Sequence, residues 1–198
     1  MMDALLFAVK DTIIAAPLGY NVSSCDIMGP NGEPPARCGK FFVAVHEGGS
    51  NNQAVNNLDE RFDFNVTLTM RIVVPLDRIG DAGLASKVAR TAGPLGTPSF
   101  NARVEQLRAY LHMNWKMTVQ TSQTPASAND NLAAWWPSGT VYGFVEPARF
   151  RGAETPVFVG GDWFSAKPEA VDVGIKSTLR FAGARRLQPQ TLNVGPFA

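Results

Sequence analysis

Residues 62–74, FDFNVTLTMRIVV, constrain the fold more than any other stretch of the chain. Phe62, Phe64, Val66, Leu68, Met70, Ile72 and Val74 take alternate positions, with Asp63, Asn65, Thr67, Thr69 and Arg71 between them. Successive side chains of a strand point to opposite faces, so this period of two predicts one buried and one polar face. At about 3.4 Å per residue the segment reaches roughly 44 Å, whereas the usual strand has about 5–6 residues. A strand of that length overshoots a globule of 198 residues, which predicts an arm or part of a ring wall. Pro75 ends it.

The other elements follow from period and punctuation. Residues 2–16 read as a helix with Leu5, Leu6, Val9 and Ile13 on one stripe, Asp3 at its positive end and Pro17 and Gly19 as its stop. A turn-rich loop is expected from about Tyr20 to Gly39. Residues 40–47, KFFVAVHE, read as a strand that runs into the loop Gly48-Gly49-Ser50-Asn51-Asn52. A short helical piece is expected near 82–91. A second helix, capped by Ser99 or Asn101, should reach about Met113. Its stripe is Phe100, Val104, Leu107, Leu111 and Trp115, and Glu105 and Arg108 are spaced to pair outside it.

Residues 120–131 are a polar linker. Residues 140–150 and 156–164 are expected to form a hairpin around Arg151-Gly152-Ala153-Glu154. Residues 171–183 alternate again, with Val171, Val173, Ile175, Leu179 and Phe181 inside and Asp172, Lys176, Thr178 and Arg180 outside. The stretch 187–198 reads as an extended arm. The expectation is one α+β domain over 1–198: a mainly antiparallel sheet with two or three helices packed on one face.

Composition narrows the function classes. Eighteen basic and 17 acidic residues give a net charge of +1, so no global field holds nucleic acid. Cys25 and Cys38 make no disulfide framework and lie in no CxxC; reduced thiols and a single bridge both stay open. The apolar start contains Asp3 where a secretion signal wants positive charge, and Lys10-Asp11 interrupts it. No uncharged apolar run is long enough to span a bilayer as a helix, so no membrane partner is expected and the chain should be made in the cytosol. The glycosylation patterns at Asn21 and Asn65 are therefore accidents of sequence.

Catalytic templates do not match. His46-Glu47 begins like HExxH, but Ser50 stands where the second histidine belongs. There is no GxSxG, GxGxxG or phosphate-binding loop. His112 falls beside Arg108 and Lys116 on a polar helix face and reads as a solvated histidine. Carboxylates such as Asp59, Glu60, Glu146, Glu154 and Asp162 are scattered. No cofactor, metal or catalytic residue is expected. Trp135-Trp136 are adjacent in a β region, so one ring can pack inside while the other meets a partner. Lys176, Arg180, Arg185 and Arg186 line the last strand and read as a solvated or salt-bridged face.

The layout resembles the tail terminator proteins of long-tailed bacteriophages. The segments that carry the resemblance are 2–16, KFFVAVHEGGSNN at 40–52, RFDFNVTLTMRIVVP at 61–75, NARVEQLRAYLHM at 101–113 and IKSTLRFAGARRLQP at 175–189. Residues 114–165 fit a compact terminator less well and read as an inserted linker and β-hairpin, or as the mark of a different neck component. The resemblance implies a ring-forming subunit, a hexamer that caps the tail tube and meets the head-side connector or head-closure protein, within a virion assembled in the host bacterial cytoplasm. Genomic DNA would slide through the lumen without sequence-specific binding, which suits a chain near neutrality. The residues expected at subunit or partner contacts are Gly48, Gly49, Asn51, Leu68, Trp135, Trp136 and Arg180. A charge at Leu68 should prevent folding or assembly. The alternatives are another ring of the phage neck, a small hydrolase using scattered carboxylates, and a monomeric carbohydrate-binding domain using Trp135, Trp136 and Trp163 as platforms.

Overall fold

A computed structural model describes residues 4–18, 24–27, 41–48, 59–78, 81, 83–93, 96–115, 117–120, 141–159 and 170–186. The elements run α1 (Ala4–Ile14), β1 (Ser24–Ile27), β2 (Phe41–Glu47), β3 (Asp59–Pro75), a 3-10 turn at Leu76–Arg78, α2 (Leu84–Arg90), α3 (Phe100–Met113), β4 (Thr118–Gln120), β5 (Val141–Ala153), β6 (Val157–Val159) and β7 (Ala170–Arg186). The fold is α+β, as the periodicities imply.

The alternating segment lies within β3, a strand of 17 residues. It runs antiparallel to β7 in one unbroken register, from Asp59 opposite Arg186 to Pro75 opposite Ala170. The sheet order is β1-β2-β3-β7-β5-β4, with β6 also on β7; among the described strands only the β1–β2 pairing is parallel. β2 spans residues 64–70 of β3 and no more.

One face of this ladder carries the core. Phe62, Phe64, Val66 and Leu68 of β3, Val43 and Val45 of β2, and Ile175, Leu179 and Phe181 of β7 are buried against Leu6, Val9 and Ile13 of α1 and Phe100, Val104, Leu107 and Leu111 of α3. Phe64 and Phe181, opposite each other in register, stack with centroids 5.1 Å apart, and Phe150 of β5 meets Phe181 edge-on at 5.8 Å. Such pairs add to area burial because the electropositive ring edge and electronegative face are matched. α2 covers the far end, where Leu84, Val74 and Val173 form a second small cluster.

Helix boundaries follow their caps. The Ser99 hydroxyl accepts from the Ala102 N–H at 3.2 Å and starts α3, and Glu105 pairs with Arg108 at 2.7 Å. His112 is exposed. Trp115 lies just beyond the helix end and is half-buried.

Three sequence expectations change. Residues 24–27 are a strand inside the expected loop. The expected hairpin over 140–164 is not formed: β5 and β6 both run antiparallel to β7, one after the other along the same edge. The Glu154 N–H donates to the Thr178 carbonyl at 2.9 Å, which carries the pairing across the gap between them. Arg151-Gly152-Ala153-Glu154 therefore forms no reversing turn; the register instead slips at bulges, the last between Phe150 and Gly152. The third change is that the polar face of the ladder is buried at its middle. Residues 121–131 of the expected linker and the expected arm, 187–198, lie outside the described residues.

Candidate functional site

The second face of the sheet carries three short hydroxyl-bearing side chains at its middle. Thr67, Thr69 and Thr178 are all enclosed, Thr67 to 2% exposure, and Phe42 and Ala44 of β2 beside them are enclosed too. Register sets Thr67 opposite Thr178, and their hydroxyl oxygens lie 3.0 Å apart. His46 of β2 places Nε2 3.3 Å from the Thr67 hydroxyl. On the other side of β7, the segment between β5 and β6 holds Glu154. Its carbonyl accepts from the Ser177 hydroxyl at 2.9 Å, and its carboxylate accepts from Arg180 at 2.5 Å, with the Thr178 hydroxyl beside it. A polar row thus crosses from β2 through β3 and β7 to the β5–β6 junction.

Its electrostatics follow from burial and charge. Burial holds the His46 imidazole below its ordinary value of 6.5; a hydrogen bond to the Glu47 main chain and the negative Glu154 oppose that shift, and Lys176 adds to it. The Glu154 carboxyl is held below its ordinary 4.5, first by the Arg180 hydrogen bond, against burial and with help from Thr178 and Lys176. Among the described residues no three metal-ligating side chains converge.

The second notable surface is an edge. Beyond Met70, residues 72–75 of β3 have β7 on one side and, among the described residues, no strand on the other. The Asp63 carbonyl accepts from the Gly48 N–H at 2.8 Å, on the β2 side, so odd-numbered residues of β3 aim their main-chain groups away from β7. The Thr178 carbonyl, opposite odd-numbered Thr67, aims away from β3 toward Glu154, which agrees. Val73 therefore points its N–H and C=O outward at the open edge. Its side chain is 61% exposed, on the same face as the exposed Val157 of β6.

Of the expected contact residues, Gly48 closes the β2–β3 ladder within the subunit. A Cβ there would stand 2.9 Å from the Asp63 carbonyl carbon, so only glycine permits this approach. Leu68 is fully buried against the helices and is not at a surface. β2 and β7 occupy both edges of residues 64–70, so the contact expected of the long strand is corrected there; its outer end is the part left open. Arg180 is exposed and held by Glu154. Gly49, Asn51, Trp135, Trp136 and Trp163 lie outside the described residues.

Sequence reasoning missed the row His46–Thr67–Thr178–Glu154 and the exposed Val73. The available signal was a threonine at the middle of each of the two longest strands, where a β-branched residue packs as readily as it solvates. Comparison with known proteins finds no matching family model, no matching curated protein and no matching solved structure.

Proposed function

We propose that this protein is a bacteriophage tail terminator, a virion structural protein whose copies close into a hexameric ring. The ring caps the tail tube and joins it to the head-side connector, and genomic DNA passes through its lumen. The observation that carries this reading is the ladder that outruns its neighbours. Seventeen paired residues at about 3.4 Å extend about 55 Å. A compact chain of 198 residues has a radius of gyration of about 16 Å, hence a diameter of roughly 40 Å.

Among the described residues, the excess ends in a two-stranded ribbon, with one face covered by α2 and no strand on the edge at Val73. Outward main-chain groups on such an edge accept a strand from another chain, and exposed apolar side chains beside it favour burial on contact. Head-to-tail pairing that closes on itself uses every edge and stops growing. A net charge of +1 leaves DNA free to slide.

The test adds purified protein to bare tail tubes and images the ends. A terminator caps them at one end. A head-closure ring leaves them bare and binds the connector instead. Val73→Asp, on the exposed edge, should leave the subunit folded and abolish capping; capping at wild-type efficiency would count against the edge contact.

A further inference from the structure

We infer that His46, Thr67, Thr178 and Glu154 form a proton-linked latch that ties β2 to the junction of β5 and β6. Each threonine carries one hydrogen to donate and can also accept, so a row of two hydroxyls has a direction. The row runs from strand to strand: His46 Nε2 lies 3.3 Å from the Thr67 hydroxyl, Thr67 lies 3.0 Å from Thr178, and the Thr178 hydroxyl stands beside the Glu154 carboxylate and favours its charged form.

When His46 is neutral and its other ring nitrogen serves the Glu47 main chain, Nε2 accepts. Thr67 then donates to His46, Thr178 donates to Thr67, and Glu154 loses the Thr178 hydrogen. When His46 takes a proton from solvent, Nε2 donates. Thr67 must turn to donate to Thr178, and Thr178 to Glu154. No bond other than the new N–H is made. The proton bound at β2 is read out three strands away as an added hydrogen bond on Glu154, beside the one from Arg180.

Geometry confines this coupling to the row. Thr67 and Thr178 are buried, so water does not compete for their hydroxyls. The groups facing His46 are few. From β3 they are Asn65, directly opposite, with Asp63 and Thr67 on either side of it; from β7, Lys176, Thr178 and Arg180; from the β5–β6 junction, Glu154; and from its own strand, Glu47. On the β1 side, Asp26 stands in register with Ala44. Lys176 disfavours the imidazolium and Glu154 favours it, which leaves the hydroxyl row as the path that binds the two ends stereochemically.

What the latch holds is a weak place in the sheet. Between Ala153 and Val157, pairing to β7 rests on the Glu154 main chain and the Ser177 hydroxyl. Fixing the Glu154 side chain fixes that junction. Protonation of His46 therefore tightens the β5–β6 edge while placing a buried charge on β2.

The experiment follows the His46 imidazole and the Glu154 carboxyl carbon by NMR through a pH titration of the full chain. In the wild type, Glu154 should show an inflection at the His46 midpoint, above its own titration. Thr178→Val keeps both charges and cuts the row; it should lower the His46 midpoint by about half a pH unit and abolish the Glu154 inflection. Thr178→Ser, which restores a hydroxyl, should restore both. If Thr178→Val does not fold, Thr67→Val makes the same cut one link earlier. The inference is overturned if the wild type shows no inflection, or if cutting the row leaves the His46 midpoint unmoved while Glu154→Gln shifts it, since that outcome is a field through space alone.

Discussion

The two faces of the β3–β7 ladder share one backbone and one register, yet they are held in different ways. On the helix side, Val66, Leu68, Ile175 and Leu179 are buried by aliphatic and aromatic contact, which is non-directional and tolerates small shifts. On the other side, Thr67 and Thr178 are buried almost as completely, but by hydrogen bonds that need a partner at a fixed distance. Burial alone therefore does not say what a position contributes. A methylene removed from the first face leaves a cavity; a hydroxyl removed from the second leaves its neighbour unsatisfied.

The largest contrast comes from Leu68. Leu68→Ala should cost about 2–5 kcal/mol in denaturant unfolding, and Leu68→Asp should yield no folded protein. Thr67→Val, directly next in sequence but on the hydroxyl face, keeps the volume and removes the bond. It should cost about 1–2 kcal/mol. Adding Thr178→Val should recover part of that loss, because two partners removed together leave fewer groups stranded. Purely additive losses would mean that the hydroxyl pair is not coupled.

Acid should act on the hydroxyl face first. His46 has a folded value below 6.5, so the unfolded chain binds the proton more readily, and stability falls as pH drops below 6.5. Glu154 adds a second loss, present above 4.5 and surrendered as pH falls through its lowered folded value. His46→Gln should flatten the first slope in a series of thermal melts and leave the second. Smallest of all, Glu105→Gln removes an exposed pair on α3 and should change stability by only a few tenths of a kcal/mol.

The helix face was legible in the sequence because its period is carried by large apolar residues: 62–74 announced β3, and the stripe from Phe100 to Leu111 announced α3. The hydroxyl face was not, since threonine at a polar position reads as solvated until its cross-strand partner is known, and Thr67 and Thr178 are 111 residues apart. β5 and β6 were misread for the same reason. A Gly-Ala-Glu stretch between two apolar runs looks like a hairpin turn, but the partner of both runs is the distant β7. β1 has four residues, too few for a period to show. His46 drew notice only as half of a metal motif, and its actual neighbours come from β3 and β7.

The central claim, that copies of this chain join edge to edge into a closed ring, is tested most directly by end-on electron microscopy of the purified protein incubated with tail tubes, paired with native mass measurement. The account predicts sixfold rings seated on tube ends and a mass six times that of the 21.3 kDa chain. Single 21.3 kDa subunits beside bare tube ends would contradict it.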